Sequence, residues 1–279
     1  MFVHPRAVRR LLALAAFGVV ATGTAAEAAE TVEIFSAGSL RTAVEALVKQ
    51  AAPDIEIKPT FGGSGLLRQR IEGGEHPDLF LSADMSSPRK LAQAGRTVMP
   101  VLAFARNRMC LVARKSAGVT AANLIDRMLA SDLRLRTSTP VADPAGDYAM
   151  AIFDRVEAVR PGAGRILREK AQRMLEAAKA MPPVTGLGGV VSLFRNDQID
   201  LMITYCSAAS ALEKEMAELA TLPFPPELEP APVYGMAVLS AKPAALRVAL
   251  LLLSEDGQAI LARAGLLPIL PAPADAIRP

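Results

Sequence analysis

The stretch Thr60-Phe61-Gly62-Gly63-Ser64-Gly65-Leu66-Leu67-Arg68-Gln69-Arg70-Ile71 decides the reading of this chain. A β-branched and aromatic run (Ile55, Ile57, Thr60, Phe61) arrives as a strand. Gly62 to Gly65 turn it, and Leu66 to Ile71 continue as a helix. Ser64 therefore stands where a strand hands over to a helix N-terminus. Unpaired N–H groups and the positive end of the helix dipole meet there, which suits an anion. A plain helix cap is the alternative at this one position. The arrangement recurs upstream. Val32–Phe35 reads as a strand, Ser36-Ala37-Gly38-Ser39 follows, and Leu40, Val44, Leu47 and Val48 return at helical spacing. Ser39 is thus a second serine at such a handover. Two of them in one βαβ unit face the same crevice at the carboxyl ends of parallel strands.

The same alternation continues. Pro77–Asp84 is a short buried strand ending in acids, and Met85–Ala94 is a helix closed by Gly95. Val98–Ala105 and Arg108–Ala113 are apolar strands around Arg106-Asn107. Helices follow over 120–130, 148–159, 164–180 and 190–195, with a strand over 133–136. Asp200–Tyr205 is a strand, and Ser207–Glu218 a helix. A loop crowded with Pro223, Pro225, Pro226, Pro230 and Pro232 leads to a strand at Val233. Two helices then run from Pro243 to Leu253 and from Ser254 to Ala264, before a Pro-rich tail. Alternating βα units predict mainly parallel sheets flanked by helices. The expected organisation is two α/β lobes with a cleft between them. Lobe 1 is discontinuous, over 29–105 and 223–279, and lobe 2 covers 106–222.

The first residues read as a targeting segment. Arg6, Arg9 and Arg10 form a basic region, Leu11–Ala21 is apolar, and Ala26-Glu27-Ala28 fits a cleavage site. The expectation is a signal peptide over 1–28 and export to the periplasm. The chain has 279 residues and a formal net charge of +3, and three positive charges sit in this leader. The remainder is near neutral, which argues against a nucleic-acid surface. There is no Trp and aromatics are few, so a stacking platform for bases is not expected. Two cysteines, Cys110 and Cys206, leave a disulfide and a buried free thiol both open.

Catalysis is hard to build from these residues. The two histidines are His4 and His76, and His4 lies in the leader. Gly62–Leu66 is not a nucleophile elbow, because the last glycine of G-x-S-x-G is Leu66. Asp78 and Asp84 flank a short strand, and a carboxylate pair for acid–base work is possible there. A helix cap at Asp84 and a solvated Asp78 are the plainer reading. No metal or cofactor site has the required spacing. Binding is easier to assemble. Ser39, Ser64, the amides near Ala145 and Leu187, and the Tyr205 phenol are all neutral donors. Several such donors with helix N-termini can hold a dehydrated dianion.

Phe35-Ser36-Ala37-Gly38-Ser39-Leu40, Phe61-Gly62-Gly63-Ser64-Gly65 and Pro77-Asp78-Leu79-Phe80-Leu81-Ser82-Ala83-Asp84 together carry a resemblance. Asp143-Pro144-Ala145-Gly146-Asp147-Tyr148-Ala149 and Thr204-Tyr205 complete it. The chain resembles the periplasmic molybdate/tungstate-binding proteins of ABC importers, within the type II periplasmic solute-binding proteins. The resemblance implies a two-lobed fold, no catalysis, a monomer, a small oxyanion ligand and a membrane permease as partner. It implies ligand contacts from Ser39, Ser64, Ala145, Leu187 and Tyr205. Two features depart from the family pattern. Cys206-Ser207-Ala208 follows Tyr205 where the family has Thr-Asp nearby. Asp143 and Asp147 flank the third helix start, where the family's loop is uncharged. Asp143 is also a plain N-cap before a proline at N1. A carboxylate there either points away or favours a ligand that donates a proton. The same scaffold holding another small anion or organic acid is therefore the alternative ligand reading. A secreted hydrolase using Asp78, Asp84 or His76 is the alternative from another class.

Overall fold

A computed structural model describes residue 1 and residues 29–179 and 186–269. Beyond Met1 the expected signal peptide lies outside the described residues, as do the Pro182-Pro183 loop and the final tail.

The chain opens with β1 (Glu30–Ala37), α1 (Arg41–Gln50), β2 (Ile55–Gly62), α2 (Ser64–Glu72), β3 (Leu79–Ser82) and α3 (Ser86–Gln93). β1 lies between β2 and β3 and runs parallel to both. Its near-continuous apolar run follows from this central position, with Val32, Ile34 and Phe35 all buried. α1 turns Ala43, Val44 and Leu47 onto the sheet, at the spacing of one helical face. β4 (Leu102–Arg106) then leads through Asn107-Arg108 into β5 (Met109–Arg114), which belongs to a second sheet.

The second unit contains α4 (Leu124–Leu129), β6 (Leu135–Arg136), α5 (Pro144–Val159) and α6 (Ala163–Lys179). It continues with α7 (Gly186–Arg195), β7 (Leu201–Tyr205), α8 (Cys206–Glu215) and β8 (Leu219–Pro223). The chain returns through β9 (Val233–Val238), followed by α9 (Pro243–Leu253) and α10 (Glu255–Arg263). The first sheet has the order β2-β1-β3-β9-β4, and the second β6-β7-β5-β8.

Both sheets are mixed rather than mainly parallel. β9 is antiparallel to β3 and β4, and β5 is antiparallel to β7 and β8. The reason is the double crossing. β4 leaves the first sheet at the edge where β1 and β3 finish. β9 re-enters at that same edge, so it must run the other way. β8 is an edge strand that the sequence pattern does not announce, and α8 stops at Glu215 rather than Glu218. Pro223 is tolerated there because it ends an edge strand. Cys110 and Cys206 form a disulfide with Cα atoms 4.9 Å apart. It ties β5 to the first residue of α8. No described helix is long and apolar enough to cross a membrane.

Candidate functional site

The register of the first sheet brings the two serine turns together. Ala37 pairs with Gly62, so β1 and β2 end side by side. Ser39 follows in a 3-10 turn (Gly38–Leu40), and Ser64 is the first residue of α2. Ser64 is fully buried, and its Oγ accepts the Ala83 N–H at 3.0 Å. Three strand ends thus converge on one edge. Ser39 Oγ lies 2.9 Å from the hydroxyl of Tyr234 on β9.

The chain has three tyrosines, and all three meet between the sheets. The Tyr205 ring lies 5.6 Å from that of Tyr234 and 6.3 Å from that of Tyr148. Tyr205 ends β7, paired with Met109 at the start of β5, and so faces the crossing. Its hydroxyl is buried and has no hydrogen-bond partner among the described residues. Burial pushes its phenol well up, and Tyr234, Asp143, Tyr148 and Asp84 add to the rise. Tyr234 is raised by burial too, against hydrogen bonds from Ser39 and Asn107. Burial and Asp84 push Tyr148 up to about 12. All three phenols are therefore neutral donors at neutral pH.

Asn107 connects this cluster to the crossing. It is 3% exposed, and its Nδ2 donates to Tyr234 at 3.1 Å and to Ser207 Oγ at 2.9 Å. Its Oδ1 accepts the Arg108 N–H at 2.9 Å. One side chain between β4 and β5 thus links a strand of the first sheet with a helix of the second.

The lobes touch at the glycine turn. Leu66 N–H donates to the Ala142 carbonyl at 3.2 Å. A Cβ on Gly63 would stand 2.4 Å from that same oxygen, which explains why glycine is needed there. Asp143 follows immediately. It caps α5, with Oδ1 accepting the Ala145 N–H at 3.1 Å. The amide expected to meet a ligand is therefore covered by the chain's own carboxylate. Burial pushes the Asp143 carboxyl up, Ala145 and Ser138 pull it down, and Asp147 and Asp84 raise it further. Asp147 is also raised by burial and Asp84, with Val141 N–H and Lys90 acting against the rise.

The remaining sequence candidates fall differently. Leu187, near the start of α7, is 43% exposed, and no described contact joins it to this cluster. Asp84 is a cap, with Oδ1 accepting Ser87 N–H at 2.6 Å. Asp78 is not solvated. It is 3% exposed, accepts Glu33 N–H at 2.9 Å and pairs with Lys242 Nζ at 3.1 Å. It holds β1, β3 and the start of α9 together, since a buried carboxylate must be paired. His76 is exposed, just past the turn at Gly73-Gly74. Among the described residues, no group of three or more His, Cys, Asp or Glu side chains could hold a metal ion. Tyr234, Tyr148 and Asn107 are members of the cluster that sequence pattern does not single out. Only the scarcity of tyrosine hints at the first two.

A family model described as bacterial extracellular solute-binding protein matches residues 32–267. The uncharacterized protein PM1146 of Pasteurella multocida (strain Pm70) is 37% identical over 241 residues, covering 84% of this chain and 98% of that one. The sulfate-binding protein SubI of Mycobacterium tuberculosis H37Rv superposes with a TM-score of 0.68 at 14% identity, covering 87% of this chain and 88% of its own. The periplasmic molybdate-binding protein of Azotobacter vinelandii gives 0.65 at 18% identity, covering 86% and 99%. At such identities these two structures speak to the fold alone.

Proposed function

Because the chain belongs to the bacterial extracellular solute-binding proteins, we propose that it closes its lobes on a small oxyanion, molybdate or tungstate first, and delivers it to the permease of an ABC importer. The observation that carries the reading is the Tyr205 hydroxyl. It is buried without a partner among the described residues, and its ring packs on that of Tyr234, whose hydroxyl bonds Ser39. A buried donor left unpaired is costly unless something completes it. An oxyanion accepting from Tyr205, Ser39 and Ser64 would do so, and neutral donors suit an anion stripped of water.

On this reading the mature chain is a periplasmic monomer released from its leader. The Cys110–Cys206 disulfide supports an oxidising compartment. The partner is a membrane permease that meets the closed lobes. Binding is stoichiometric and without turnover.

Asp143 favours a second reading of the ligand, as another small anion or organic acid that carries a proton. Its carboxylate covers the Ala145 N–H, which a fully deprotonated dianion would want. Isothermal titration of the purified mature chain with molybdate, sulfate and phosphate tests both. Tight one-to-one binding of molybdate, lost when Ser39→Ala and Ser64→Ala are combined, supports the first reading. Binding of phosphate or a small organic acid in its place supports the second. No heat with any anion discards both.

A further inference from the structure

Resting on the oxyanion reading above, we infer that the ligand complex holds one proton between Asp143 and the bound anion. Asp143 then selects anions that bring a proton, and takes one from solvent when the anion has none.

Asp143 Oδ1 sits on the Ala145 N–H at the first turn of the 16-residue helix α5. Its charged neighbours are Asp147 on the same helix and Asp84 beyond β3, both negative. The titratable groups facing it from the other elements are the phenols of Tyr205 on β7 and Tyr234 on β9, with Tyr148 on α5 beside them. Ser138, in the loop before α5, pulls the carboxyl down. The charge of Lys90 acts on Asp147. Among the described residues, carboxylates and neutral donors act on Asp143, and no cation lies within ion-pair distance of it.

The unpartnered Tyr205 hydroxyl is the independent mark of a ligand at this place. Asp143 Cβ lies 3.3 Å from where a Cβ on Gly63 would stand, next to Ser64, so an anion held by Ser64 and Tyr205 meets Asp143 as well. Two like unit charges about 4 Å apart at a protein surface weaken binding on the order of a thousandfold. One proton between them turns that repulsion into a charge-assisted hydrogen bond. Burial and the two other carboxylates already push the Asp143 carboxyl upward, so it is primed to take the proton.

The proton has two possible sources. Hydrogen phosphate or a protonated organic acid brings its own. Molybdate and sulfate bring none near neutral pH, so their binding must draw a proton from solvent onto Asp143. The ordinary balance holds in both cases, since no bond to the anion's central atom forms or breaks.

The test is isothermal titration of the purified mature chain with molybdate, sulfate and hydrogen phosphate. It is run from about pH 6 to 8, in two buffers of different ionisation enthalpy, where proton linkage sets the pH slope. We expect molybdate or sulfate to bind with uptake of about one proton, seen as a buffer-dependent heat, and with affinity falling about tenfold per pH unit. Hydrogen phosphate should bind near pH 8 without uptake. Asp143→Asn should remove both the buffer dependence and the slope, and bind the dianions more tightly near pH 8. The wild-type buffer comparison decides the matter even if that variant does not fold. Molybdate or sulfate binding with equal heats in both buffers and a flat pH profile overturns the inference and leaves the oxyanion reading standing. No binding of any of the three, by wild type or variant, overturns both.

Discussion

Gly65 and Val141 meet across the cleft so closely that a Cβ on Gly65 would stand 1.7 Å from the Val141 carbonyl oxygen. The neighbouring Leu66 N–H bonds the next carbonyl, that of Ala142. The contact is backbone on backbone, so no rotamer change can relieve an added methyl. Gly65→Ala should therefore hinder closure while leaving each lobe folded. Overpacking of this kind costs about 1–3 kcal/mol. We expect ligand affinity to fall roughly tenfold to a hundredfold by titration calorimetry. The melting temperature without ligand should barely move. An unchanged affinity would show that this contact is not part of the bound state.

Tyr205 and Tyr234 lie ring to ring but should answer differently to loss of their hydroxyls. Tyr234→Phe removes bonds to Ser39 and Asn107. It should lower stability by about 1–3 kcal/mol, read by urea unfolding. Tyr205→Phe removes a hydroxyl that bonds none of the described residues. The chain without ligand should be as stable as wild type or about 1 kcal/mol better. Its ligand-induced rise in melting temperature should shrink. A large loss of stability in Tyr205→Phe would mean the hydroxyl has a protein or water partner.

The Cys110–Cys206 disulfide closes a loop across 96 residues of sequence. Cross-links spanning loops of that length restrict the unfolded chain by up to about 4.7 kcal/mol. Reduction, or Cys110→Ser with Cys206→Ser, should shift the urea midpoint down accordingly. Tyr205 immediately precedes the bridge, so we also expect the reduced protein to bind its ligand more weakly.

Asp200 gives the acid limb of the stability profile. Its carboxylate accepts from Arg134 Nε and Nη2 at 2.8 Å each and from the Arg134 N–H at 2.8 Å. Those bonds hold its carboxyl below the usual range. The unfolded chain takes up this proton at higher pH than the folded one. The contribution is thus whole above the unfolded value, near pH 3.9, and is lost as pH falls through the lower folded value. The Arg134 side chain is 43% exposed and screened, so Asp200→Asn should cost about 2 kcal/mol at neutral pH. That deficit should close on acidification, as seen by thermal melts across the acid range. A deficit that persists at all pH values would point to lost packing instead.

How much of this was legible depends on the range of the interaction. Ser39 and Ser64 announce themselves because a strand, a small-residue turn and a helix follow one another locally. The Asp143-Pro144 cap is local as well. Tyr234 and Asn107 act through partners over a hundred residues away, and nothing near them in sequence marks that. The cysteines remained open for the same reason, since bonding distance is set by the packing of β5 against β7. The mixed sheets escaped a reading based on alternating βα units because the strand direction of β9 follows from the crossing. The solvated reading of Asp78 failed because Lys242, which satisfies it, lies 164 residues on.

In the first sheet, β3 and β4 do not pair with each other, and each pairs with β9. β9 is synthesised only after every strand of the second sheet. The half of the molecule that begins the chain therefore cannot finish folding until residue 238 has been made. β3 and β4 keep open edges through most of synthesis, and long-range pairing of this kind is slow. A chain that must be threaded through a membrane unfolded gains from that delay, whereas one refolded at high concentration meets it as an aggregation hazard.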